Sequence, residues 1–535
     1  MCNRVLRCFV AAAAGVVAAT LLASCAVGPD FDVPAAPDTG RYTKEPLQPH
    51  TSSTDAPTGK SQHFINGRDI PQEWWALFKS RPLNALIERA IKNNPNLQSA
   101  MSTLRAAKEA VYAQQGKYFP LVQANFNPTR QLTASTLSPI LNSAQNPFNL
   151  FTAQLQVSYT FDVWGLNRRT VESLQALADN QRFQVEAAYL MLAGNVAIAA
   201  INEASLRGQI EATHKLIDIN SKMLGILRHQ LEAGFTDRLV VAAQEAALAQ
   251  VEATLPPLRK ALQLNRDLLT ALVGAYAGQE PHEKFTLADL QLPSDLPVSL
   301  PSQLIEQRPD VRAAQEQLHA ASAEIGVATA NMLPNFSING NAGYINSILV
   351  GLLSPANVFW FVAGNATQTI FDAGTLWHEL RGTQATYDAA AWSYRGAVVT
   401  AVQNVADSLR AIENDADALK AARDFERAAK VSLDLATQQL HFGLADELFL
   451  LTAQQTYLQA ILQVVLARAA RLSDTAALFQ ALGGGWWNRV EPPTEKILNV
   501  STGEAATLVD RNDKFWGLFQ LLPLFQATGK MDAIH

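Results

Sequence analysis

Two stretches of the chain, Arg168 to Leu231 and Thr375 to Leu440, run for more than sixty residues without a proline. A proline-free backbone rich in Ala and Leu favours uninterrupted helix, and at about 1.5 Å per residue each stretch could extend roughly 95 Å. Helices of that length cannot be buried in an ordinary globule. Gly234 and Gly443 follow the two stretches as candidate C-terminal caps, where a left-handed residue is tolerated. Asp237 and Asp446 then stand where a returning helix would take its N-cap. Two long antiparallel helical hairpins are expected. Pro256-Pro257 predicts a kink or restart in the first returning helix. Its alanines, Ala242, Ala246, Ala249 and Ala253, either admit a close neighbour helix or reflect helix propensity alone.

The chain is internally duplicated. "NNPNLQSAMSTLRAAKEAVYAQQGKYFP", from Asn93, aligns without a gap with "QRPDVRAAQEQLHAASAEIGVATANMLP", from Gln307, at an offset of 214. "YTFDVWG" at Tyr159 matches "TIFDAGT" at Thr369 through Phe161-Asp162 and Phe371-Asp372. "LEAGFTDRLVVAAQ" at Leu231 matches "LHFGLADELFLLTAQ" at Leu440 through the two glycines. A unit of about 200 residues is far longer than a solenoid repeat, so this is a duplicated module. Each half reads helix, strand, strand, long helix, turn, long helix. The expected divisions are a leader at 1–24, a tether at 25–80, repeats at 81–290 and 291–485, and a tail at 486–535.

The strands show period-two alternation. Leu155, Val157, Tyr159 and Phe161 alternate with Gln154, Gln156, Ser158, Thr160 and Asp162. Phe336, Ile338, Ala342 and Tyr344 alternate with Asn335, Ser337, Asn339 and Asn341, and Val122, Ala124 and Phe126 with Gln123, Asn125 and Asn127. A fourth strand, Phe359 to Phe371, alternates poorly. A sheet covering a soluble core would show the same pattern, but lengths near 10 residues suit tilted membrane strands. Four strands cannot close an open barrel, so a membrane reading requires several chains to share one.

The start of the chain bears on the compartment. Arg4 and Arg7 precede an uncharged, Ala-rich run from Phe9 to Ser24, which has the layout of a secretory signal. Cys25 ends it, in "LLASCAVGPDF", and the other two cysteines, Cys2 and Cys8, would leave with the leader. Cys25 is then a free thiol or a processing site, with no disulfide partner. With 48% apolar and 17% charged residues and a formal charge of −6, the chain lacks the basic face of a nucleic-acid binder. Past the leader no unbroken apolar run approaches 18 residues, so no spanning helix is expected and a membrane crossing would need a barrel. Nine scattered histidines show no metal-ligand spacing, and "GKS" at Gly59 to Ser61 lacks the earlier glycine of a phosphate loop. Neither enzyme chemistry nor a metal site is expected. Glu413 and Asp417 read as a solvated face.

"CAVGPDF", "EWWALF" (Glu73 to Phe78), "LIEQRPDVRAAQEQLHAASAEIGVATANMLPNFSINGNAGY" (Leu304 to Tyr344) and "LFQALGGGWW" (Leu478 to Trp487) resemble the TolC-type outer membrane factors, closest to their OprM and NodT lipoprotein branch. Leu22-Ala23-Ser24-Cys25 also resembles the bacterial lipobox. These resemblances imply a mainly α protein with a membrane β-barrel, in which three chains each give four strands to one 12-stranded barrel and the helical hairpins form a periplasmic tunnel. They imply the exit duct of a tripartite efflux pump in the outer membrane, docked to a periplasmic adaptor and an inner-membrane transporter of resistance-nodulation-division or major facilitator type. They imply S-diacylglycerol and N-palmitoyl groups on Cys25 and no other cofactor. Gln154, Gln156, Ser158, Asn335, Ser337 and Asn339 would line the barrel lumen, and the turns at Gly234 and Gly443 would meet the adaptor.

The resemblance places a gate at the periplasmic tip, opened by an iris-like movement of the helices. In "GLADELFLLTAQQTY" the constricting leucine falls on Leu448. The branch's usual aspartate and arginine fall on Thr452 and Gln455, which suggests a leucine-dominated gate. Asp446 and Asp237 supply acidity near the turns or serve only as helix caps. Ala26 to Ile70, rich in Pro, Thr, Ser and Asp, reads as an extended tether. The tail, with "KFWGLFQLLPLFQATG", either packs around the tunnel or stays disordered.

Overall fold

The computed structural model of the chain describes residues 26–36, 41–132 and 147–489. Cys25, the leader before it and the tail from 490 lie outside the described residues, as do the side chains of Glu447 and Leu448. A short strand β1 (His63–Asn66) precedes α1 (Arg81–Asn93), α2 (Pro95–Gln115), β2 (Leu121–Gln131), β3 (Phe148–Phe161), α3 (Leu166–Glu232) and α4 (Arg238–Leu272). Then β4 (Asp295–Val298) leads into α5 (Pro301–Gln307), α6 (Pro309–Asn331), β5 (Asn335–Asn346), β6 (Val358–Thr367), α7 (Thr375–His441) and α8 (Glu447–Ala481).

The duplication is visible in the lengths. α3 and α7 each have 67 residues, and α4 and α8 each have 35. At about 1.5 Å per residue the long helices reach roughly 100 Å. Each starts from the Phe-Asp pair that the repeats share. Asp162 Oδ1 and Oδ2 accept from the N–H groups of Asn167 (2.8 Å) and Arg168 (3.0 Å). Asp372 does the same for Gly374 (2.9 Å) and Leu376 (2.8 Å). These are donors that a helix start otherwise leaves unsatisfied. The Leu376 and Gly374 N–H groups hold the Asp372 carboxyl below the ordinary carboxylate range.

Two expectations about the helices are corrected. Of the kink or restart expected at Pro256-Pro257, the restart is absent, since α4 runs through both prolines as one element. The carbonyls these prolines leave unpaired belong to Glu252 and Ala253, both exposed and open to water, while Val251, Leu255 and Leu269 are buried on either side. Ala242, Ala246, Ala249 and Ala253 lie on the exposed side, and the buried face is Val241, Gln244, Ala247, Val251 and Leu255. Within the chain these alanines face outward. Two helical segments, in α3 and at Phe449–Ala481, are long and apolar enough by composition to cross a bilayer. The expectation of none counted only unbroken apolar runs, and 56% of the α3 window is buried inside the protein.

The core is concentrated where the hairpins, α1 and the "EWWALF" turn meet. Trp74, Trp75 and Phe78 pack with Leu83, Leu86 and Ile87 of α1, Val196 and Ile201 of α3, Val405 and Leu409 of α7, and Leu472 and Phe479 of α8. Trp74 stacks on Phe479 with centroids 5.5 Å apart. Burying each such side chain contributes about 1.5–3 kcal/mol. Towards the turns only small clusters remain, Leu224, Leu227 and Val241 in one hairpin and Ala436, Leu450 and Ala453 in the other.

The segment read as an extended tether is instead docked on the helices. Arg471 of α8 is fully buried. Its Nε donates to Gln62 Oε1 (3.2 Å), Nη1 to the Thr58 carbonyl (2.9 Å), and Nη2 to Thr51 Oγ1 and the Lys60 carbonyl (2.9 Å each). Gln62 in turn donates to the Pro293 carbonyl and to Thr475 Oγ1, each at 3.1 Å. The Ser52 hydroxyl donates to Asp417, and Arg410 pairs with Glu45 at 2.8 Å. Asp417 is thus engaged and not merely solvated, and Glu413 meets Arg410 at 3.1 Å. The strap continues into β1, which pairs in parallel with β4, His63 opposite Asp295. Neither four-residue strand was expected. Burial pushes the Arg471 guanidinium down to about 10, with the Asp415 carboxyl opposing the shift, and the oxygens it donates to are all neutral.

Two outcomes are expected. Arg471→Met removes the donor to Gln62 Oε1 and to the Thr58 and Lys60 carbonyls, while Thr51 Oγ1 keeps the Gln62 N–H at 2.9 Å; an oxygen left buried without a partner costs about 1–3 kcal/mol. Limited proteolysis should then cut within residues 41–62 much faster than in the parent. His319 of α6 lies between Glu172 (3.1 Å) and Glu316 (3.4 Å), which raise its pKa from 6.5 to about 9. A raised folded-state value means the stabilisation is complete below 6.5 and lost as pH climbs through about 9. The unfolding temperature of the parent should exceed that of His319→Gln most below pH 6.5, with the difference closing towards pH 9.

Candidate functional site

Two regions hold the residues singled out from the sequence: the four-stranded sheet and the turns of the hairpins. The sheet is an antiparallel ladder in the order β2-β3-β5-β6. Residues opposite each other in a ladder share a face, so register sorts the side chains without ambiguity.

Val122 pairs with Val157, Ala124 with Leu155 and Phe126 with Ala153. Leu155 pairs with Ala342, Tyr159 with Ile338 and Phe161 with Phe336, while Ala342 pairs with Trp360 and Gly340 with Val362. That face is apolar except for Arg130, Asn149 and Asn346 near the ends away from the helices. On the opposite face Gln123 meets Gln156, Asn125 meets Gln154 and Leu121 meets Ser158. The rows continue through Gln156 to Asn341, Ser158 to Asn339 and Thr160 to Ser337, then Asn335 to Thr367 and Ser337 to Asn365. Asn125 Nδ2 reaches Gln156 Oε1 at 3.5 Å. The six residues named from the sequence therefore stand on one face, joined by Gln123, Asn125, Thr152, Asn341 and Asn365. Arg130 is the only charged residue in the four strands.

The fourth strand ends at Thr367 instead of Phe371, because Asp372 is taken up in starting α7. Its alternation looked poor because Val358, Trp360 and Val362 face the apolar side while Phe359 and Phe361 stand on the other, at the end away from the helices. The strands have 11, 14, 12 and 10 residues. Leu155, Val157, Val122 and Trp360 are exposed in the single chain. The outer edges of β2 and β6 have no strand beside them among the described residues.

At the other extreme, both hairpins turn by the same device. Gly234 (φ +76°) and Gly443 (φ +70°) take the left-handed conformation that favours glycine. The Phe235 N–H donates to the Gln230 carbonyl (2.8 Å) and the Gly234 N–H to Leu231 (3.1 Å), while Leu444 donates to Gln439 (2.8 Å) and Gly443 to Leu440 (3.0 Å). This doubled pattern is the Schellman termination. Asp237 Oδ1 then accepts from the N–H groups of Leu239 (2.7 Å) and Val240 (3.1 Å), and Asp446 Oδ1 from Phe449 (2.8 Å). Phe235 and Leu444 at the turns are 84% and 77% exposed.

Leu448, Thr452 and Gln455 follow in α8 at helical spacing that puts them on one side. Thr452 and Gln455 are exposed, and the Leu448 side chain lies outside the described residues. The next buried polar pair has no echo in the motifs. Gln244 Nε2 donates to Asn220 Oδ1 (3.0 Å) and to the Asn220 carbonyl (3.1 Å), tying α4 to α3. Among the described residues no three His, Cys, Asp or Glu side chains are grouped to hold a metal ion.

The outer membrane efflux protein family model matches residues 86–275 and 300–484. The chain is 26% identical over 475 residues to the probable efflux pump outer membrane protein TtgC of Pseudomonas putida, covering 88% of this chain and 95% of TtgC. It is 27% identical to the pyoverdine export outer membrane protein OpmQ of the same species, covering 83% of this chain and 95% of OpmQ. Among solved structures, the outer membrane protein VceC of Vibrio cholerae is similar at 26% identity and a TM-score of 0.71, covering 78% of this chain and all of VceC. The outer-membrane channel OprN shares the fold at 24% identity and a TM-score of 0.77, covering 86% of this chain and all of OprN.

The shared turn geometry is open to a direct check. A β-branched residue in the left-handed region costs about 1–2 kcal/mol. Gly443→Val should speed amide hydrogen exchange at the end of α7 and the start of α8 about tenfold, and Gly443→Asn should do so far less.

Proposed function

Because the chain belongs to the outer membrane efflux protein family, we propose that it is the exit duct of a tripartite pump, carrying small molecules across the outer membrane. The observation that carries this reading is the sheet: one face apolar, the other uncharged and polar, and both edges unpaired. Open edges in lipid leave backbone groups without partners. Three copies joined edge to edge, β6 of one to β2 of the next, would satisfy them in a 12-stranded barrel. The apolar face would then meet lipid, and Gln154, Gln156, Ser158, Asn335, Ser337 and Asn339 would line the lumen. Lipid on Cys25, as S-diacylglycerol and N-palmitoyl, would add an anchor to a barrel that already holds itself in the membrane.

The helical hairpins continue the duct into the periplasm. The Phe235 and Leu444 turns would seat a periplasmic adaptor, which in turn engages an inner-membrane transporter. The gate is a ring of Leu448 side chains, narrow and apolar enough to hold water out. With Thr452 and Gln455 where the branch usually has ionic partners, no salt bridge has to break when the α8 tips move apart in an iris-like opening. Asp446 already caps its helix. The curated relatives include proteins named for efflux of toluene and export of pyoverdine, which points to small organic molecules without fixing one.

Single-channel recording in planar bilayers tests the gate. Leu448→Ala should raise the open fraction several-fold, and Thr452→Asp should shift selectivity towards cations. If neither variant differs from the parent, the gate lies elsewhere. A species that migrates as a monomer in unheated gels of outer-membrane extracts would count against the shared barrel.

A further inference from the structure

The residues directly after Cys25 are held far more specifically than a flexible leash requires. We propose that residues 26–31 and the cleft between the start of α3 and α6 form a built seat, with Arg169 as its positioning residue. The seat fixes the chain after Cys25 at the boundary between sheet and helices.

Three devices make the seat. The first is hydrogen bonding to a buried cation. The Arg169 side chain is 6% exposed. Its Nε donates to the Val27 carbonyl (3.1 Å), Nη2 to Asp30 Oδ1 (2.7 Å) and the Gly28 carbonyl (3.4 Å), and Nη1 to Glu172 Oε2 (2.8 Å). The Val27 N–H donates to the Trp164 carbonyl at 3.0 Å, and the Trp164 indole donates to the Pro334 carbonyl at 2.8 Å. One segment thus reads both repeats. The second is shape. Gly28 has φ +96°, and a Cβ there would stand 2.4 Å from Gly326 Cα, on backbone that cannot give way. A Cβ on Gly326 would in turn stand 2.9 Å from the Val27 carbonyl oxygen. The third is stacking. The Phe31 ring lies on the His319 imidazole at 4.4 Å and 12°, and His319 is itself braced by Glu172 and Glu316.

The seat has a geometric consequence. A Cβ on Gly165, the N-cap of α3, would stand 2.9 Å from Ala26 Cα, so the described segment that follows Cys25 starts beside the β3–α3 turn, where the strands end. That Cys25 carries lipid rests on the reading given above; the seat itself does not.

The test separates the two. In a chain with Cys25→Ser and a cleavable signal, Asp32→Cys is the sole thiol of the mature protein and takes a nitroxide. Its spectrum should be immobilised in the parent. It should lose that component in Arg169→Gln and in Gly28→Val, while a nitroxide at Thr236→Cys in the same variants stays as in the parent. Gly28→Val guards against misfolding, since it changes only the docked segment. An immobilised Asp32→Cys spectrum in both variants overturns the seat, as does a mobile one in the parent. Mass spectrometry of the native N-terminal peptide decides lipidation independently.

Discussion

Backbone hydrogen bonding at the two outer edges of the sheet constrains the molecule more than any side chain. A membrane offers no water to unpaired N–H and C=O groups, and four strands leave two full edges in need of partners. In the proposed duct the same requirement calls for more than one copy and turns one apolar face outward. The polar face carries no charge, and in that duct its amides and hydroxyls would wet a lumen without drawing ions to fixed sites.

Stability is distributed unevenly along the hairpins. The indole and phenyl rings around Trp74, Trp75 and Phe479, together with the Arg471 strap, concentrate burial in a girdle. Nearer the turns, α7 and α8 are joined by little more than Ala436, Leu450 and Ala453. Segments with few buried apolar contacts open at lower free energy. In the proposed duct this would let the tips move while the girdle keeps the helices in register.

The parts legible in the sequence were those governed by local rules. Proline spacing predicted α3 and α7 to within two residues at each end, alternation predicted three of the four membrane-type strands, and Gly-x-x-Asp predicted both turns. The parts that stayed hidden depend on distant partners. β1 and β4 are four residues each and pair across more than two hundred residues. The strap looked like a linker because Thr51, Thr58 and Gln62 have meaning only opposite Arg471. Pro256-Pro257 left kink and restart open in the sequence, because whether a helix continues through a proline depends on whether the orphaned carbonyls reach water. The gate placement owes nothing to periodicity and came from resemblance, as did the copy number.

The equality of α3 with α7, at 67 residues each, and of α4 with α8, at 35, couples the two repeats in evolution as well as in shape. Removing two heptads from one hairpin alone would shorten it by about 20 Å, leaving alternate tips at different depths and a ragged end. In the proposed duct, changes in tunnel length would have to come in matched pairs, so the two halves share a common ruler even where their sequences have diverged.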